Sequence, residues 1–592
     1  MSENDYTETD VLVVGAGPAG LTAAALLARA GVDHLAITKY PSTAHTPRAH
    51  ITNQRAMEVF RDLGIEADVL AGGYANELMG DNVWATSFAG KELARRKAWG
   101  TGAAQRTEYQ AASPTPMCNI GQHKLEPILR AGAERYGANL RFGTELVSLD
   151  QDEQGVTAQV REVATDTIST IRAKYVIGAD GGRSLVASEA GIEMEGETGL
   201  GHAVNVWFEA DLEKYRAHRP GTLFFTLQPG RDFWLGSGTF ITVAPWNEWV
   251  LIVMYDPKTE QIDLSPEAML TRVHAAIGDD QIDVRIKDIS QWQINHVLAS
   301  KYRAGRVFLV GDAAHRHPPA NGLGSNTSVQ DPFNLVWKLA LVLQGKAGDS
   351  LLDSYADERR PVGRQVIDRA MDSVGQLGQL PSAFGIVAGQ DDATGQAALD
   401  DYFAPTPTGA EKRRLVNEVL DEADIQFNAH GVEMNQRYTS SAVIPDGARQ
   451  GFTRDAEMHY QPTTLPGAVL PHAWLDHDGE QVSTLDLVGR GEFTLVAGID
   501  ADEWVAAAEA VAAEVGIPLR VRRIGIGQEY QDVLGDWQRI REIDDSGALL
   551  VRPDRHIAWR AATRPQDPVR ELRTALTAVL GVSDRDQALE GV

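Results

Sequence analysis

Three glycine-bearing segments hold the residues best suited to binding a nucleotide. The first, Gly15-Ala16-Gly17-Pro18-Ala19-Gly20, follows an apolar β-type run at residues 10–14 and opens an Ala/Leu-rich stretch at 21–30. In a G-x-G-x-x-G turn the first glycine permits the tight turn and the second lets backbone approach a pyrophosphate. The third lets helix and strand pack closely, and the helix N-terminus attracts phosphate. Gly15, Gly17, Pro18, Ala19 and Gly20 are therefore read as a dinucleotide cradle, which by itself does not separate FAD from NAD. The next strand ends in Ile37-Thr38-Lys39, where an acidic residue usually holds the ribose hydroxyls. Thr38 or Lys39 takes that place, and Lys39 has the reach to touch phosphate.

The second segment is Gly178-Ala179-Asp180-Gly181, at the end of another apolar run. The third is Gly311-Asp312-Ala313-Ala314-His315, followed by Pro318-Pro319-Ala320-Asn321-Gly322-Leu323-Gly324-Ser325-Asn326 and a helical pattern at 329–343. Each alone matches an ordinary strand-to-loop turn. All three in this order, with a helix behind the third, are far more specific. His315, His317 and Asp312 include the residue types of a two-histidine, one-carboxylate iron site. The third segment already accounts for Asp312, so no metal is expected.

These residues need elements to position them. Strand, turn, helix and strand over residues 10–38 form the opening of a dinucleotide fold. A helix is predicted over 123–136, with strands near 139–149, 156–162 and 175–177. From 194 to about 289 the apolar period becomes two, as in an antiparallel sheet. Aromatics crowd that stretch: Trp207, Phe208, Phe224, Phe225, Phe233, Trp234, Phe240, Trp246 and Trp249. Such a sheet can wall a hydrophobic substrate pocket, although most of these rings serve equally as core. Residues 375–401, rich in Gly, Ala and Gln, read as loop. From about 462, strands and helices alternate in a thioredoxin-like outline without Cys-x-x-Cys. The fold class is thus α/β. A Rossmann-like dinucleotide-binding domain (1–75, 115–190 and 290–400) carries an inserted antiparallel β-sheet substrate domain (76–114 and 191–289). A connecting segment (401–460) leads to a thioredoxin-like C-terminal domain (461–592).

Composition bounds the function classes. The 592 residues are 43% hydrophobic and 23% charged, a globular composition that excludes disorder. A net charge of −27 disfavours nucleic acid as a partner. Cys118 is the one cysteine, which excludes an internal disulfide and Cys-based metal sites. The acidic N-terminus and the lack of a long apolar run argue for no membrane association and a cytoplasmic location.

Taken together, the three segments resemble those of the class A flavoprotein aromatic monooxygenases, the group of p-hydroxybenzoate and phenol hydroxylases. The resemblance covers essentially the whole chain. Thr46-Pro47-Arg48-Ala49-His50-Ile51-Thr52-Asn53-Gln54-Arg55, His315-Arg316-His317-Pro318-Pro319 and the run from Asn428 to Tyr438 look like the 2,4-dichlorophenol 6-monooxygenase branch. That branch includes natural-product hydroxylases such as the one acting on the piericidin pyridinol.

The resemblance implies tight, noncovalent FAD, with NAD(P)H and O2 as co-substrates. It implies that Asp312 hydrogen-bonds the ribitol and that Gly322, Leu323, Gly324, Ser325 and Asn326 present N–H groups to the flavin N1/O2 edge. It places Pro319 beside C4a, Gln122 at FAD, and Arg48 on a mobile loop near flavin and nicotinamide. Asp180 belongs to the motif shared by FAD and NAD(P)H, but the family's following arginine is Ala187 here. The implied reaction is hydroxylation of a phenolic or hydroxypyridine ring, ortho to an existing hydroxyl, through a flavin C4a-hydroperoxide. A non-oxygenating flavoprotein (dehydrogenase, reductase or halogenase) is the alternative. The implied partners are a small aromatic substrate and further copies of the chain, as a dimer or higher homo-oligomer. A phenol with pKa of roughly 10 costs about 4 kcal/mol to ionise at pH 7, so a base or an anion-favouring donor is needed. Alignment with phenol hydroxylase puts His50 at that point, where an ordinary histidine pKa suits proton abstraction. A histidine that merely bonds loop backbone is the competing reading.

Overall fold

The computed structural model describes residues 6–230, 236–448 and 451–582. Phe233 and Trp234 lie outside the described residues. The strand Tyr6–Val14 is central to the first sheet and pairs in parallel with His34–Thr38 on one side and Thr167–Gly178 on the other. Thr167–Gly178 in turn pairs in parallel with Val307–Leu309. Fully buried runs such as Val11–Val14 explain the order: a parallel strand covered on both faces is apolar throughout. The helices Pro18–Arg29 and Gly324–Leu343 pack on this sheet through Leu21, Leu27, Leu335 and Leu339. All three glycine segments therefore emerge at the carboxyl ends of neighbouring parallel strands, where open α/β sheets bind ligands.

The second sheet has eight strands, running from His315–Arg316 through Arg285–Ala299, Met194–Glu209, Glu248–Tyr255, Gly238–Ala244, Gly221–Thr226 and Asp81–Ala85 to Glu92–Lys97. It is antiparallel except where Gly221–Thr226 meets Asp81–Ala85. One face buries Phe208, Phe224, Phe240 and Trp249 against the helix Pro266–Ile277. The opposite face carries Trp84 and Phe225, stacked with centroids 5.2 Å apart. The edge strand His315–Arg316 is itself part of the third glycine segment. The two sheets are thus joined at the candidate site.

Residues 375–401 are not loop. The helix Asp353–Leu377 runs into this stretch, and Leu380–Phe384 and Asp392–Phe403 follow. Leu380, Phe384, Leu399 and Tyr402 bury against the aromatic sheet face, and Asp391 caps the last helix by accepting from the Thr394 N–H. Tertiary burial organises a segment whose glycines, read locally, suggest a break. In the C-terminal unit Phe493–Ala497 pairs in parallel with Leu519–Arg523 and antiparallel with Ala548–Val551. The helices Asp502–Val515 and Pro568–Leu580 cover it through Trp504 and Leu576. No described helix is long and apolar enough to cross a membrane.

Candidate active site

The first turn is built to leave backbone donors free. Gly15 has φ +112°, and a Cβ there would lie 2.1 Å from the Ala179 oxygen. A Cβ on Gly20 would lie 1.9 Å from the Gly15 oxygen. Neither position accepts a side chain. At Gly17, by contrast, the nearest atom to a Cβ is Glu126 Oε1 at 3.9 Å, so that side is open. The helix Pro18–Arg29 has no side-chain cap, and its first N–H groups are left for an anion. This cradle fits the diphosphate of FAD. Thr38 is buried at its strand end, whereas Lys39 is exposed and faces Glu145 at 4.0 Å.

The second segment touches the first through Ala179. The Asp180 carboxylate accepts from the Ser184 hydroxyl (2.5 Å) and the Val186 N–H (3.1 Å), organising the helix Leu185–Glu189. Arg316 lies over this turn and donates to the Gly182 carbonyl (2.6 Å).

In the third segment Asp331, fully buried on the helix Gly324–Leu343, acts as the anchor. Its Oδ2 accepts from the Gly311 N–H (2.9 Å) and lies 3.0 Å from His315 Nε2; its Oδ1 accepts from Arg359 Nε (2.8 Å). Burial alone would raise the Asp331 pKa, but Arg359 and His315 outweigh it and hold the carboxyl below its usual range. Asp312 is thereby presented to a cleft: its surface is exposed although protein surrounds it at depth. That burial raises its pKa against the opposing His315, Arg316 and Arg48. Arg48, exposed on its loop, also acts on Glu126.

Pro319 is exposed and precedes a turn in which Asn321 and Gly322 take φ of +60° and +66°. Asn326 ties this turn to the strand Ile51–Thr52. Its Nδ2 donates to the Ile51 (2.9 Å) and Gly322 (2.6 Å) carbonyls, and its Oδ1 accepts from the Asn53 N–H (2.9 Å). Leu323 is buried, and Gly324 and Ser325 are partly buried at the helix start. His50 precedes Ile51. Its Nδ1 lies 3.1 Å from Asn119 Nδ2, and burial lowers its pKa to about 4. The ordinary histidine value expected from sequence does not hold in this pocket, and His50 is neutral at pH 7.

Several participants escape sequence reading. Glu126 accepts from Gln122 Nε2 (2.6 Å) and the Ala44 N–H (2.5 Å), and burial raises its pKa. The only local signal was its position one helical turn after Gln122. Asn119 and Asp331 carry no motif that marks them. The two candidate iron ligands also find other partners: His315 meets Asp331, and His317 Nδ1 lies 2.6 Å from the Pro318 carbonyl. The run from Asn428 to Tyr438 joins several elements. His430 stacks on Tyr109 (3.7 Å) and bonds Gln54 (2.9 Å), while Gln436 and Tyr438 accept from Arg359 at 2.9 and 3.0 Å. A small cavity of about 20 Å³ is lined by residues including Arg55, Glu58, Tyr438, Asp554 and His556. Its charged walls are already paired, Arg55 with Glu58 and Asp554 with Arg552, so the three converging glycine segments are the better candidate.

The model of the FAD binding domain family matches residues 8–370, and that of the aromatic-ring hydroxylase C-terminal domain matches 463–583. The chain belongs to the FAD-dependent aromatic-ring hydroxylases. It is 49% identical over 577 residues to 2,4-dichlorophenol 6-monooxygenase of Delftia acidovorans, covering 97% of this chain and 98% of that relative. It is 43% identical over 587 residues to phenol 2-monooxygenase of a Pseudomonas species, covering 98% and 93%. The crystal structure of the flavin-dependent monooxygenase PieE, in complex with FAD and substrate, superposes with a TM-score of 0.94 at 45% identity, covering 97% of this chain and 99% of that one. This hydroxylase therefore has the FAD-binding and aromatic-hydroxylase parts expected of a monooxygenase that uses NAD(P)H and O2.

Proposed function

We propose that this hydroxylase inserts one oxygen atom into a phenolic or hydroxypyridine ring, ortho to the existing hydroxyl. The other oxygen atom leaves as water, and NAD(P)H supplies two electrons. When bound, FAD accepts those electrons and activates O2. The uncapped helix start at Pro18 holds the diphosphate, with Gly17 giving it room. Asp312 accepts from the ribitol hydroxyls, and the Gly322–Asn326 turn offers N–H groups to the electron-rich edge of the reduced ring. Arg48 and Arg316 supply positive charge at the mouth where the nicotinamide nucleotide arrives.

One observation carries the substrate side of this reading. Asn326 bonds the flavin-edge turn directly to Ile51, the residue after His50. The ring that meets the substrate hydroxyl is thereby held in fixed register with the turn that meets the flavin. The aromatic sheet behind it offers an apolar wall for a phenyl or pyridyl ring. The relatives named for 2,4-dichlorophenol and phenol support simple phenols, and PieE supports a natural-product substrate.

A panel of chlorophenols, alkylphenols and pyridinols, scored for both product and NAD(P)H consumed, tests the reading. Coupled ortho-hydroxylation of at least one class is expected, with His50→Ala reducing it by about 10²-fold or more. NAD(P)H oxidation without product from every panel member would overturn it.

A further inference from the structure

His50 contacts one buried amide, that of Asn119, whose nitrogen fixes the direction of their hydrogen bond. Asn119 lies on the middle strand of a small three-stranded sheet, paired with Ile51 on one side and Tyr74 on the other. It is fully buried, as are Thr222 and Thr242. The Tyr74 hydroxyl donates to the Thr242 backbone carbonyl (3.3 Å) and contacts Thr222 Oγ1 (3.1 Å).

The Asn119 amide nitrogen, which can only donate, lies 3.1 Å from His50 Nδ1. His50 Nδ1 must accept, so the imidazole proton resides on Nε2. Nε2 has no partner among the described residues, and His50 is only partly buried.

We infer that Asn119, held in the small sheet between Ile51 and Tyr74, is a positioning residue that locks His50 in the Nε2–H tautomer, so that His50 donates a hydrogen bond to the substrate oxygen. This rests on the reading that His50 meets the substrate hydroxyl, and it changes what His50 does there. A donor aimed at that oxygen favours the phenolate over the phenol. The proton then leaves to solvent or to the departing water rather than to the imidazole. The low basicity of His50 fits this role and opposes that of a general base.

The test uses the FAD-loaded, full-length enzyme. In histidine-selective ¹⁵N spectra at pH 7.5, with the His50 signals assigned by their loss in His50→Ala, Nε2 should be protonated and Nδ1 bare. In Asn119→Asp the carboxylate should accept from Nδ1 and reverse that assignment. Bound 4-nitrophenol, whose phenolate absorbs in the visible, gives the second readout. Its acid dissociation constant should rise at least tenfold on binding to the wild type, so that its apparent pKa falls, and most of that shift should vanish in His50→Ala. Protonated Nδ1 in the wild type would overturn the tautomer lock, and needs no variant to fold. Protonated Nε2 together with an unchanged 4-nitrophenol pKa in His50→Ala would leave the lock standing and overturn the placement of His50 at the substrate.

Discussion

Replacing Asp331 by Asn puts the anchor of the third glycine segment to a quantitative test. The wild-type carboxylate serves three donors, and neither it nor Arg359 is more than 1% exposed, so solvent screening is negligible. An amide has one acceptor oxygen and one NH2 group. The permanently charged, fully buried Arg359 holds the oxygen, which turns the NH2 toward Gly311 and His315. His315 can adapt by exchanging its ring proton, whereas the Gly311 N–H cannot. The mismatch therefore falls on the residue immediately before Asp312. Losing a charge-assisted bond costs about 1.5–3 kcal/mol, and an unsatisfied buried donor about 1–3 more. The sum, about 2.5–6 kcal/mol, brackets the roughly 3–5 kcal/mol for disrupting a buried ion pair. If a third of it falls on the loop's placement of Asp312, FAD affinity drops about tenfold. Fluorescence titration of apoprotein with FAD and urea unfolding of the same preparation measure both parts. An FAD Kd within twofold of wild type, with an unshifted unfolding midpoint, would refute the anchoring role.

Three further outcomes follow from the same geometry. Asp312→Ala should weaken FAD binding by about 1–3 kcal/mol while leaving the apoprotein's unfolding midpoint nearly unchanged, since this carboxylate faces the cleft; an unaltered titration would contradict its role. Gly20→Ala should yield protein without stoichiometric flavin, because the new methyl group would sit 1.9 Å from the Gly15 oxygen; a normal flavin-to-protein absorbance ratio would disprove that crowding. Burial raises the Glu433 carboxyl to about 8, and its Oε2 has no hydrogen-bond partner. The folded state thus keeps a proton that the unfolded chain has lost, and wild-type stability falls as pH rises from about 4.5 toward 8. Glu433→Gln should remove this penalty, stabilising by up to about 3 kcal/mol at pH 7 and by little at pH 4. Urea unfolding across that range should show the gap widening with pH, and a constant gap would refute the explanation.

The chain's local pattern was enough to establish the dinucleotide turn, because the glycines of Gly15-Ala16-Gly17-Pro18-Ala19-Gly20 are demanded by backbone geometry that neighbours in sequence impose. The order of the three glycine segments likewise implied a flavin site, since each ends a strand and the strands are adjacent in one sheet. The role of Asn119 was invisible, because it arises from two strand pairings that bring residues 50, 74 and 119 together across long sequence separations. Asp331 was hidden for the same reason: its meaning comes from Gly311 and Arg359, which meet it only when the helix Gly324–Leu343 docks. The helices within 375–401 needed an apolar sheet face to pack on before their glycines ceased to look like breaks. His50 carried its residue type in the sequence, but its pKa and its proton position belong to the tertiary structure. Burial determines the first, and the hydrogen bond from the buried Asn119 amide determines the second.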